Sequence, residues 1–92
     1  MHTIYKYKLS EVLPFSTVEA PIVSPIWVDY QNGDPYVWAI VDPEMPVRRI
    51  RVYRIGTGHP IEGFINLGNY LNTTVAQSEP YVWHWFWGDA EG

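Results

Sequence analysis

The chain has 92 residues, ten Asp and Glu against six Lys and Arg, and a formal net charge of −4, which leaves room for one domain and excludes attachment to a nucleic-acid backbone by general charge attraction. It contains no cysteine, so disulfides, thiolate-bound zinc and thiol nucleophiles are ruled out. Five Trp, seven Tyr and three Phe exceed what one small core needs and favour a partner interface or a ligand site, where such side chains concentrate.

Thr3–Leu9 sets Ile4, Lys6 and Lys8 against Tyr5, Tyr7 and Leu9, a period of two that predicts a first strand. Phe15–Glu19 predicts a short second one. Ile26–Tyr30 and Tyr36–Val41 flank Gln31-Asn32-Gly33-Asp34, and Asn-Gly between two β-rich runs is a strong hairpin signal because both residues accept positive φ. Asp42-Pro43-Glu44-Met45-Pro46 reads as a turn, followed by a long strand over Val47–Ile55. Beyond Gly56-Thr57-Gly58-His59-Pro60, Phe64–Leu67 is a further candidate strand. Leu67, Tyr70 and Leu71 have helix-like spacing, so at most one short helical turn is expected near Gly68–Ala76. Tyr81–Trp87 places Tyr81, Trp83, Trp85 and Trp87 on one side and Val82, His84 and Phe86 on the other. Neither side is polar, which predicts cover on both faces, from a wrapped sheet, a second copy or a flat ligand. Residues 88–92 read as a frayed acidic tail. The expected architecture is all-β: one domain over residues 1–92, a small twisted antiparallel sheet or partly closed barrel of six to seven strands.

No stretch approaches the roughly 20 apolar residues of a membrane-spanning helix, and Met1–Ser10 alternates charge where a signal peptide has an apolar core. A soluble intracellular protein is expected. Four of the six basic residues, Arg48, Arg49, Arg51 and Arg54, lie within seven positions. On a strand, Arg49, Arg51 and Tyr53 share one face, and two guanidiniums at i and i+2 can fork onto phosphate or carboxylate oxygens; a solvated outer face is the ordinary alternative. The following loop adds the backbone and hydroxyl donors of Thr57 and Gly58 and the imidazole of His59, although it lacks the Lys-Ser/Thr ending of a phosphate-binding P-loop. His2, His59 and His84 show no metal-ligand spacing, and His84 reads as a satisfied core or interface histidine. Asn72-Thr73-Thr74 matches a glycosylation acceptor but reads as structural in an intracellular chain. No serine stands in a nucleophile context. No metal and no cofactor are expected.

At Thr3-Ile4-Tyr5-Lys6-Tyr7, at Gln31-Asn32-Gly33 with Trp38-Ala39-Ile40-Val41-Asp42-Pro43-Glu44, and at Gly56-Thr57-Gly58-His59-Pro60-Ile61, the chain resembles a family of small tailed-bacteriophage and prophage proteins to which no activity is assigned. The resemblance implies a phage origin and expression in the host bacterial cytoplasm, where small oligomeric phage proteins capture cyclic nucleotides or ADP-ribose-type defence signals. The expected function is therefore a non-enzymatic, homo-oligomeric binder of a small phosphorylated ligand. Arg49 and Arg51 would pair with phosphate, Thr57, Gly58 and His59 would donate hydrogen bonds, and Tyr53 with Trp85 would stack on a base. A protein-docking or inhibitor module using a Trp-rich face is the second reading, and a small phosphodiesterase using His59 the third. Neither a membrane nor a nucleic-acid polymer is an expected partner.

Overall fold

The computed structural model describes residues 1–10, 15–61, 63, 67–75 and 81–90. These form seven strands and no helix: β1 (Thr3–Lys8), β2 (Ser16–Ala20), β3 (Ile22–Gln31), β4 (Asp34–Val41), β5 (Arg48–Gly56), β6 (Tyr70–Val75) and β7 (Val82–Asp89). They make two antiparallel sheets, one of three strands in the order β1-β4-β3 and one of four in the order β2-β5-β7-β6. All-β architecture was legible beforehand; the division into two open sheets, packed face to face without closing into a barrel, was not.

The hairpin between β3 and β4 turns on Asn32 and Gly33, at φ 55° and 85°. These are the left-handed conformations that match the right-handed twist of the flanking strands. A second device joins the sheets. Pro21 separates β2 from β3 and has no N–H to continue a ladder, so the chain leaves the four-stranded sheet there and enters the three-stranded one. Asp42 N–H donates to the Pro21 carbonyl at 3.0 Å, tying the corner to the end of β4. Register shifts between Ile22 and Ser24 and between Pro25 and Trp27 then bend β3, as bulges do. Starting beside β2, β3 reaches β6 by Val28, where Asn72 Nδ2 donates to the Val28 carbonyl at 2.6 Å and Val28 N–H donates to Asn72 Oδ1 at 2.7 Å. β3 therefore runs across the width of the four-stranded sheet, and Asn72 supplies a strand-like pair of hydrogen bonds where β6 and β3 approach.

The core lies between the sheets. Val28, Val37, Ala39 and Val41 face Val18, Ala20, Ile50, Val52 and Trp85, all buried. Trp85 is 0 % exposed, and burying an aromatic side chain of its size removes up to roughly 250 Å² from water, at most about 6 kcal/mol. Its indole N–H is paired, donating to Thr74 Oγ1 at 2.8 Å. The cover expected for the tryptophan strand is thus the second sheet of the same chain on the Trp83, Trp85 and Trp87 side. On the other side, His84 and Phe86 are half-buried, with Phe86 beside Tyr70 (ring centroids 5.5 Å apart) and paired in register with Tyr53.

Three local expectations are refined, corrected or left open by the structure. Tyr70–Val75 is a strand, not a helical turn: Thr73, Thr74 and Val75 are β-branched, and the register shift between Tyr70 and Asn72 makes Leu71 an extra residue that imitates helical spacing. β7 runs on through Gly88 and Asp89, where a tail was expected, because Asp89 pairs with Ile50 in register and with Arg48 through its carboxylate. The candidate strand Phe64–Leu67 falls mostly outside the described residues; Leu67 itself lies in a turn.

Candidate functional site

β5 splits its arginines between two faces. Arg49, Arg51 and Tyr53 point outward, as the period of two required, and Arg48 and Arg54 share the inward parity of buried Ile50 and Val52. On the outer face Arg49 is already paired, its Nη2 lying 2.8 Å from Glu19 Oε1 on β2. Arg51 lies over the Phe15 ring, 4.6 Å from its centroid. Tyr53 is only 3 % exposed, with Phe15 edge-on at 5.7 Å. Trp85 projects from the opposite face of the same sheet, so it and Tyr53 cannot sandwich one base.

The loop after β5 is a tight turn. His59 N–H donates to the Gly56 carbonyl at 3.0 Å, Thr57 N–H donates to the Val82 carbonyl at 3.2 Å, and Gly58 sits at φ 85°. Thr57 faces outward, its Oγ1 2.8 Å from His84 Nε2, and His84 Nδ1 is 3.0 Å from Thr73 Oγ1. Both imidazole nitrogens of His84 are therefore held by threonine hydroxyls, the arrangement of a positioned structural histidine. Thr57 is six residues from Arg51 along an extended chain, a separation on the order of 20 Å. The two arginines and the loop donors do not converge on one ligand.

A different set does converge, on the inner face at the end where β5 and β7 finish and begin. The Arg54 guanidinium lies over Trp83, its Cζ 3.9 Å from the ring centroid. His59 folds back so closely over Gly56 that a Cβ there would stand 2.5 Å from His59 Nδ1, so the imidazole occupies the next inward position after Arg54. The same ring meets Trp83 edge-on at 6.0 Å, and half-exposed Tyr81 lies 5.6 Å from Trp83 on a tilted plane. Arg54 Nε is buried without a hydrogen-bond partner. Stacked on Trp83 and lacking a carboxylate among the described residues, Arg54 holds its charge in place with donors to spare.

The other inward arginine is satisfied. Arg48 lies over Trp87 at 5.1 Å and forks onto Asp89, with Nε to Oδ1 at 2.7 Å and Nη2 to Oδ2 at 3.0 Å. That hydrogen bond holds the Asp89 carboxyl below the usual carboxylate range and raises the Arg48 guanidinium. Near the same corner, after β4, the Glu44 N–H and then the N-terminal ammonium hold Asp42 below its usual range. Among the described residues no group of three or more His, Asp or Glu is placed to hold a metal ion, and no helix is long and apolar enough to cross a membrane.

Of the site residues expected from sequence, His59 belongs to the converging set. Gly58 shapes its turn, Thr57 holds His84, and Arg49, Arg51, Tyr53 and Trp85 lie elsewhere. Arg54, Trp83 and Tyr81 were missed, although one signal was available: Arg54 is a cation at an apolar-face position at the end of a strand. No curated protein and no solved structure matches the chain. The family comparison does match, over residues 1–91, and on that match the chain belongs to the family described as a domain of unknown function, DUF7352.

Proposed function

We propose that the protein is a non-enzymatic binding module for a small ligand that combines an anionic group with a flat ring, of the phosphorylated nucleotide type, held at Arg54, His59, Trp83 and Tyr81. The observation that carries this reading is the Arg54 Nε, buried without an acceptor while its guanidinium is fixed on Trp83. Leaving a buried donor unpaired costs about 1–3 kcal/mol, and a phosphate or carboxylate oxygen that reaches and accepts from the Arg54 Nε–H removes that cost. Pre-stacking on the indole lowers the side-chain entropy lost on binding. His59 adds a second donor, and Tyr81 a half-exposed flat surface for a base. The resemblance to phage proteins supports a host nucleotide signal as ligand and the bacterial cytoplasm as the place of capture.

Recovery of bound ligand tests the reading. Protein purified from bacterial cells and heat-denatured should release an intact nucleotide-type molecule, identified by mass spectrometry. Arg54→Ala, shown to be folded by circular dichroism, should carry none. A degraded ligand would point to turnover, and equal loading of wild type and Arg54→Ala would remove Arg54 from the site.

A further inference from the structure

The outer face of the three-stranded sheet carries large apolar side chains. The register across β1, β4 and β3 arranges its side chains in rows: Ile4, Ile40 and Ser24; Lys6, Trp38 and Trp27; Lys8, Tyr36 and Asp29. Ile4 is 56 % and Trp27 51 % exposed, and Tyr36, Trp38 and Ile40 are half-buried by their neighbours in the sheet. An antiparallel face turned to water normally carries polar side chains at these positions. Exposed Ile4 and Trp27, flanking the half-buried Trp38 and Ile40 of β4, mark an interaction surface.

Charge identifies the occupant. The molecule carries −4 overall, yet this face has its cations, Lys6 and Lys8, on β1 and carboxylates on β3, at Asp29, and at the start of β4, at Asp34. We infer that this face is a two-fold interface with a second copy of the chain. An axis running along β4 within the interface lays β1 of one copy over β3 of the other. Lys8 then faces the partner's Asp29, Lys6 faces the partner's Trp27, and the two Trp38 rings meet at the centre. Within one chain the cations already have exposed local partners: Lys6 donates to Gln31 Oε1 and lies 5.1 Å over the Tyr36 ring, and Lys8 Nζ is 3.4 Å from Asp34 Oδ2. Such exposed contacts are cheaply exchanged. The face is small. Eight residues of β4 and three strands span on the order of 27 by 14 Å, below the ~800 Å² each partner gives to a standard interface, so the dimer dissociates on dilution.

Light-scattering mass measured across a dilution series should show a dimer giving way to monomer. Lys8→Asp and Asp29→Lys each place like charges opposite one another twice per dimer, and each should weaken association at least tenfold. Mixed together, the two variants restore both pairs, so an equimolar mixture should recover a heterodimer. Trp27→Glu, an exposed position outside the core, gives a second disruption that does not depend on the charges. A wild-type monomer at every concentration, a dimer indifferent to all three substitutions, or single variants whose mixture stays monomeric would each overturn the inference.

Discussion

Removing the Asn72 side chain should weaken the tie between the two sheets. Asn72 is 5 % exposed and satisfies both the N–H and the C=O of Val28, at 2.7 and 2.6 Å. In Asn72→Ala both backbone groups lose their partner where water has little access. At about 1–3 kcal/mol for each unsatisfied group, with some relaxation, the loss is roughly 2–4 kcal/mol. A domain of this length holds about 5–14 kcal/mol in total, and at about 4–8 °C per kcal/mol the midpoint of thermal unfolding should fall by roughly 8–32 °C. Asn72→Asp sharpens the test. The new carboxylate keeps the acceptor for Val28 N–H but faces the Val28 carbonyl with no donor, so its folded pKa is raised. The folded state then binds more protons than the unfolded state above the unfolded value of about 3.9. The stability of Asn72→Asp should therefore fall as pH rises from about 4 until the folded pKa is passed. Urea denaturation across pH, with hydrogen exchange read at the Val28 amide, makes both measurements. A loss below about 1 kcal/mol in Asn72→Ala, or a Val28 amide that stays protected, would refute the role assigned to this bridge.

Gly56→Ala should leave the fold nearly intact, costing less than about 1 kcal/mol, because the atom its Cβ meets belongs to an exposed imidazole that can swing away. It should nevertheless weaken ligand binding as much as His59→Ala, which titration calorimetry checks. In acid, the lowered Asp42 and Asp89 carboxyls contribute stability that is complete above the unfolded value of about 3.9 and is lost as pH falls through the folded values. The Asp89 side chain is more than half exposed, so its pair with Arg48 is worth under about 1 kcal/mol; Asp89→Asn should flatten the acid limb of a pH series of thermal midpoints by no more than that. Trp85→Phe should cost about 1–3 kcal/mol, since it opens space in the core and strips Thr74 of its indole partner.

What could be read from the chain was local. Asn32-Gly33 announces its turn because the required φ values belong to those two residues, and the outward parity of Arg49, Arg51 and Tyr53 follows from a period of two. Parity within one strand does not reveal what stands opposite. Trp85 and Tyr53 belong to adjacent strands yet face opposite sides of the sheet, a relation set by the β5–β7 register, in which Arg54 meets Trp85 and Gly56 meets Trp83. Nor does shared parity bring groups together: Arg51 and Thr57 lie on one face and remain a strand's length apart. Leu67, Tyr70 and Leu71 imitated a helix because a bulge inserts one residue into β6. Asn72 gave no signal, because its role depends on β3 crossing the other sheet and on a backbone 44 positions away.

Calorimetric titration of cyclic nucleotides and ADP-ribose into the wild-type chain, Arg54→Ala and Arg51→Ala bears most directly on where the ligand sits. Binding that survives Arg51→Ala and is lost in a folded Arg54→Ala is the expected result. Binding lost in Arg51→Ala and kept in Arg54→Ala would return the site to the outer face of β5 and contradict the assignment.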